Sequence, residues 1–165
     1  QLDRQWGTRG LEGQMWHTNG LYEFMRQLYR RVHMRGEVLY QWKSAHEAAR
    51  WYRDTISHDP GHARPDAELV FALSPQDERV TMVLLEYDRG TTREYQYFRK
   101  FKAYLDYQQA SGMTLPLLIV APSEKAAQRM RHVLDELQGS LRIVLLLEAD
   151  LLAEGLALVL HHFPP

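Results

Sequence analysis

Arg64-Pro65-Asp66-Ala67-Glu68-Leu69-Val70-Phe71-Ala72-Leu73, then Ser74-Pro75-Gln76-Asp77-Glu78-Arg79, then Val80-Thr81-Met82-Val83-Leu84-Leu85-Glu86-Tyr87-Asp88-Arg89-Gly90-Thr91: this stretch decides the fold. Two apolar runs flank a short polar turn, which predicts strands near 67–73 and 80–88 joined as a hairpin. In a hairpin the start of the first strand lies beside the end of the second. Asp66 is therefore expected next to Glu86 and Asp88, three carboxylates at one open end of a sheet. Such a cluster repels itself unless a cation or a proton intervenes. Glu86 and Asp88 share a face, because side chains in a strand repeat every two residues.

Before the hairpin, Leu21, Met25, Leu28, Tyr29 and Val32 recur at helical spacing from Thr18 to a stop at Gly36. Val38 to Trp42 reads as a strand. Ser44-Ala45-His46-Glu47 has the capping-box form and opens a short helix to about Tyr52. Residues 54–64, with Pro60 and Gly61, read as loop. After the hairpin, residues 93–109 predict a helix with Tyr97, Phe98, Phe101, Tyr104 and Leu105 on one face. Leu115 to Val120 is an apolar run suited to a strand covered on both sides. Ser123 caps a helix that Gly139 stops, and Ile143 to Leu147 is a second buried strand. The pattern after Asp150 is ambiguous. Antiparallel strands followed by alternating helices and apolar strands imply an α/β fold, a mixed central sheet flanked by helices on both sides.

The bulk properties narrow the function classes. With 165 residues, 45% of them hydrophobic, the chain can build one core. It lacks the run of about 18 apolar residues that a membrane helix needs, and the start shows no signal-peptide pattern. No membrane partner is expected. Zero cysteines exclude disulfides and thiolate metal sites, and fit the reducing cytoplasm taken as the location. A net charge of -1 is not that of a strongly basic nucleic-acid binder. Cations do crowd at Arg26, Arg30, Arg31, His33 and Arg35, and again at Arg93, Arg99, Lys100 and Lys102. Charge runs of this kind are usually solvated helix faces.

Several local features together resemble the bacterial replication-relaxation family, associated with plasmid replication and DNA relaxation. They are Trp16-His17-Thr18, Trp42-Lys43-Ser44 with Glu47, Arg64-Pro65-Asp66-Ala67, Glu86-Tyr87-Asp88-Arg89-Gly90-Thr91, and Lys100-Phe101 followed by Tyr104 and Tyr107. The likeness runs from about residue 14 to residue 123. The order of acidic residues and elements also looks like the PD-(D/E)XK nuclease superfamily. That resemblance implies a restriction-endonuclease-like core over residues 17–165. It also implies that residues 1–16 are a lead-in, the end of the winged-helix segment that family members carry ahead of this region. Superfamily nucleases hold a divalent cation, usually Mg2+, with a strand-two aspartate and a strand-three glutamate, and use a lysine two residues after the glutamate. Asp66 and Glu86 match the carboxylates. Position 88 is aspartate where the lysine belongs, and the following helix offers Lys100 and Lys102, of which the family pattern favours Lys100.

On this reading Asp66, Glu86, Asp88 and Lys100 are the catalytic candidates. Asp66, Glu86 and Asp88 are the metal candidates. Arg89, Arg93, Lys102, Arg26 and Arg30 are the candidate DNA contacts. Each has an ordinary alternative. Asp88 can cap the turn at Gly90, Glu86 can pair with Arg64, Arg89 or Arg93, and Lys100 and Lys102 can snorkel over an apolar face. Glu23 occupies a position that is often acidic in the superfamily, but it faces Arg26 and reads as a surface ion pair. Glu47 is accounted for by its capping box. His58 and His62 lie in a loop and make a poor zinc site. His17 reads as a packing or capping residue. The aromatic residues fall mostly on apolar faces, so no single-strand stacking platform is inferred from them. Two functions stay open: a Mg2+-dependent DNA endonuclease or nickase, and a silent nuclease-like module that binds DNA or other replication proteins. The oligomeric state is open in both.

Overall fold

The computed structural model describes residues 4–137 and 140–163, with side chains from Asn19 onward. The hairpin is present as β4 (Ala67–Ala72) and β5 (Thr81–Tyr87), antiparallel, with Ala67 opposite Leu85. Around it lies a five-stranded mixed sheet. The strand β1 (Val38–Ser44) pairs antiparallel with β4, and β6 (Leu117–Ala121) and β7 (Ile143–Leu147) extend β5 in parallel, giving the order β1-β4-β5-β6-β7. Parallel neighbours need crossover connections. These are α3 (Glu94–Ser111) and α4 (Glu124–Glu136).

Both faces of the sheet are covered, as the apolar runs of β6 and β7 require. On one face α1 (Arg4–Met34) packs with the two C-terminal helices, α5 (Glu148–Glu154) and α6 (Leu156–His162). Its core holds Phe24, Leu28, Leu69, Phe71, Leu85 and Leu151. On the other face α3 and α4 bury Tyr97, Phe101, Tyr104, Met130 and Val133 against Leu84, Leu117 and Ile119. Alternation along β5 thus sends Val83, Leu85 and Tyr87 to the α1 side and Leu84 to the α3 side. Buried Glu37 ties the ends of the fold together, accepting the amides of Leu156 and Ala157 at 3.0 and 3.1 Å. Gly155 is required there, because any Cβ would run into the Glu37 carboxylate.

Several expectations change. Helix α1 begins at Arg4, not Thr18, so the lead-in described from residue 4 is helical despite Gly7, Gly10 and Gly13. Each glycine in a helix costs roughly 1 kcal/mol relative to alanine, a weak preference that the rest of a long helix can override. Phe24, not Tyr29, completes its inward face, and on α3 Phe98 is exposed while Tyr107 is buried. The helix opened by Ser44 is α2 (Ala45–Ala48), with the capping box in place but ending four residues early. Beyond it runs a two-stranded ribbon, β2 (Arg50–Arg53) where the end of that helix was expected and β3 (Pro60–Ala63) where loop was expected. Gly61 permits it by lying under the Tyr52 ring, where a Cβ would collide. Ser123 does cap α4. The side chains of Trp16, His17 and Thr18, and Gly139 with its expected helix stop, lie outside the described residues.

Candidate functional site

The end of the hairpin places Asp66 beside the C-terminal end of β5. The Asp66 amide donates to the Leu85 carbonyl at 2.9 Å. Asp66 Oδ2 in turn accepts the Tyr87 amide at 2.8 Å. The side chain thereby continues the ladder where the strand stops, which fixes one carboxylate oxygen and leaves Oδ1 directed elsewhere. That oxygen meets Lys100 Nζ at 3.2 Å. Lys100 also ion-pairs with Glu86 Oε2, and Tyr104 Oη donates to Glu86 Oε1. Lys100 and Tyr104 are four apart on α3, so they share a face of that helix. One helix face thus meets two carboxylates from two adjacent strands.

Burial sets the charge state of this group. Glu86 is 4% exposed. Removal from water pushes its carboxyl up to about 8, against the opposing pull of Lys100 and with the help of Asp66. For Lys100 burial acts downward, but Glu86 and Asp66 outweigh it and hold the ammonium above its ordinary value. Tyr104 is raised by burial and by Glu86, so it stays a donor. One cation balances one of two carboxylates, and the second keeps its proton near neutrality.

Asp88 takes the other role open to it. Its Oδ2 accepts the Gly90 amide at 2.9 Å, and its Oδ1 accepts the Thr92 hydroxyl at 2.9 Å. Gly90 sits at φ +77°, and Arg129 donates to its carbonyl at 2.9 Å. The turn from 88 to 92 is therefore pinned from two sides. Among the described residues no set of three acidic or histidine side chains is gathered as a metal cage. The expectation of three converging carboxylates is corrected to two carboxylates around a lysine, with the third capping a turn. Asp88 still lines the same cavity as Asp66, Glu86, Tyr97 and Lys100, about 50 Å³ in volume. That is room for a few waters. Burial and the adjacent Asp88 raise the Tyr97 hydroxyl.

The structure adds a buried carboxylate that is absent from the candidates above. Glu68, two residues along β4 from Asp66, is 2% exposed and is held by Lys43 of β1 and Arg50 of β2. Lys43 faces it directly across the β1–β4 register. A charged residue inside an otherwise apolar strand is the signal that could have found it, because it demands a partner.

The remaining candidates are scattered. Glu86 pairs with Lys100, not with an arginine. Lys102, on the other flank of α3, pairs with Asp106 at 2.7 Å. Arg26 is held by Glu23, as the surface-pair reading of Glu23 requires. Arg30, Arg89 and Arg93 are exposed. Arg89 lies across Gly20 of α1, where a Cβ would come within 3.1 Å of its Nε, and the Arg93 amide donates to Gln96 at 2.9 Å.

A family model described as replication-relaxation matches residues 7–117, about two thirds of the chain. The chain belongs to the replication-relaxation family. The match spans α1 through the start of β6, and so contains Asp66, Glu86, Asp88, Lys100 and Tyr104. Membership connects this replication-relaxation chain with replication and DNA relaxation. No curated protein and no solved structure matches it. Among the described residues no helix is long and apolar enough to cross a membrane.

Proposed function

We propose that this replication-relaxation chain acts on DNA through a PD-(D/E)XK-like site in which Lys100 of α3 replaces the lysine missing from position 88. The observation that carries the reading is the contact of one ammonium with both Asp66 and Glu86. A lysine that merely covered an apolar face would not turn inward between two strand carboxylates.

The donor set fits Mg2+, a hard cation that binds one or two carboxylates and keeps several waters. Asp66 and Glu86 are the residues that would hold it. When bound, the ion supplies a water of lowered pKa and offsets charge on a phosphate. The protein's own part is positional. Asp66 is fixed by the Tyr87 amide, Glu86 by Tyr104, and Lys100, kept charged, is a source of positive potential and not a base. The exposed Arg89 and Arg93 bracket the pinned 88–92 turn and are the nearest candidates for phosphate contacts, with Arg30 further off on α1.

The test is nicking of supercoiled plasmid in Mg2+. Wild type is expected to nick, and Glu86→Gln, Asp66→Asn and Lys100→Met to lose activity by about 100-fold or more, the scale of losing an electrostatic group. Undiminished nicking by Glu86→Gln rejects the site. A silent DNA-binding or protein-interaction module is the second reading. It is favoured by the same ion network, which satisfies its charges without a metal, and by the diversion of Asp88 to the turn. It predicts salt-sensitive DNA binding by wild type with no cleavage.

A further inference from the structure

The β2–β3 ribbon has two unlike faces. Its inner face sets Tyr52 edge-on against Tyr107 of α3 and buries Ala63 completely. On its outer face Trp51 stands opposite His62, with ring centroids 4.9 Å apart and planes inclined at 38°. Trp51 is 72% exposed. A single exposed apolar residue on a protein surface is ordinary. This one is held on a two-stranded ribbon whose back is anchored on a helix, so its position is fixed before anything binds.

The surroundings indicate what it suits. Arg53 shares the outer face with Trp51 and donates from one guanidinium nitrogen to the His58 carbonyl at 2.9 Å, and exposed Arg64 lies just past the end of β3, two residues after His62. Asp54 at the tip is turned inward to the amides of Ile56 and Ser57, at 2.8 and 2.7 Å, and closes the turn. An aromatic face flanked by cations matches the two parts of a nucleotide, base and phosphate. β3 also leads directly into the site: Asp66 lies four positions after His62, at most about 14 Å of extended chain.

We propose that the outer face of the β2–β3 ribbon stacks an unpaired DNA base on Trp51 and His62, with Arg53 and Arg64 as phosphate partners. The proposal rests on the DNA-acting reading above and narrows the substrate to DNA with a single-stranded segment beside the cleavage point.

Fluorescence anisotropy of the full chain with a labelled oligothymidylate and with a blunt duplex, at one fixed salt concentration, tests it. Trp51→Ala is expected to weaken oligothymidylate binding by about 5- to 100-fold, the range of one stacked base. Trp51→Phe should retain most of the affinity, and duplex binding should change by less than about twofold. Equal affinity of wild type and Trp51→Ala for oligothymidylate overturns the proposal. So does equal loss on the duplex, or failure of wild type to bind oligothymidylate. The nuclease reading fails separately. A protein that binds through Trp51 and nicks nothing retains the stacking face, whereas one that nicks normally but is indifferent to Trp51→Ala retains the nuclease site.

Discussion

Tyr104 donates its hydroxyl to Glu86 from one turn beyond Lys100 on α3, so a single helix face supplies both partners of a buried carboxylate. The bond favours the ionised form of Glu86, in opposition to burial. Tyr104→Phe keeps the ring and removes that donor. Stability should fall by about 1–3 kcal/mol, the cost of leaving a buried acceptor without its donor. The pH at which nicking sets in should move upward, because Glu86 becomes harder to ionise. Urea denaturation and a pH–rate profile measure the two effects. Loss of stability with an unmoved pH profile would mean that Tyr104 only packs.

Lys100→Met leaves Asp66 and Glu86 without their cation. Removing one partner of a buried pair costs about 3–5 kcal/mol, although the partly exposed lysine places this case at the lower end. Adding Glu86→Gln should recover part of the loss, because the second change removes the carboxylate that was stranded. A double-mutant cycle by urea denaturation reads the coupling directly. Additive losses would show that the two side chains do not interact.

The pH dependence of stability has a definite sign. The folded carboxyl of Glu86 lies near 8 and its unfolded value is 4.5. Between those limits the folded chain binds the extra proton, so this group's contribution falls as pH rises from about 4.5 to about 8. Lys100 acts in the opposite range. Its folded value is raised, so its stabilising contribution is complete below 10.5 and declines only above that. Glu86→Gln should therefore lose less stability than wild type between pH 5 and about 8.5, by a few kcal/mol at most. Denaturation midpoints taken across that range decide it, and parallel curves for the two proteins would contradict the raised carboxyl.

How much of this is legible in the sequence depends on which physical signal carries each part. The hairpin can be read because two apolar runs surround one polar turn, and its geometry alone places Asp66 beside Glu86. Lys100 and Lys102 both read as flanking the apolar face of α3, and only the family resemblance favours Lys100, because which of two lysines turns inward depends on the packing of α3 on the sheet. The role of Asp88 is undecidable from sequence, because face parity fixes the direction of a side chain and not which donors it meets. Glycine and proline hide the ribbon: Pro60 and Gly61 read as loop, while in the structure Gly61 makes space for Tyr52. The start of α1 is hidden in the same way by its three glycines. Trp51 carries no signal of its own where most aromatic residues read as facing inward, yet Tyr22, Tyr29, Tyr40, Tyr95 and Phe98 are also exposed.

Glu68 tests whether one buried carboxylate of β4 supports the site at its end. It joins β1, β4 and the start of the ribbon through Lys43 and Arg50. Glu68→Gln should destabilise the chain by about 2 kcal/mol, below the range for fully buried pairs because both cations are partly exposed. Because Arg50 begins β2, hydrogen exchange should quicken in the ribbon amides, such as those of Tyr52 and Gly61, before it quickens in β5. Uniform acceleration over the whole sheet would show that Glu68 serves global stability alone.

Asp88 separates capping from metal binding. As the acceptor for the Gly90 amide and the Thr92 hydroxyl, it can be replaced by asparagine, whose carbonyl oxygen accepts one of these bonds and whose size is unchanged. Asp88→Asn should keep nicking within about tenfold of wild type, whereas Asp88→Ala should cost about 1–3 kcal/mol of stability through the freed turn. Asp66→Asn and Glu86→Gln, by contrast, should abolish nicking while the chain remains folded by circular dichroism. If Asp88→Asn is as inactive as Glu86→Gln at saturating Mg2+, Asp88 leaves the turn to bind the ion, and its capping geometry is the resting arrangement of a three-carboxylate site.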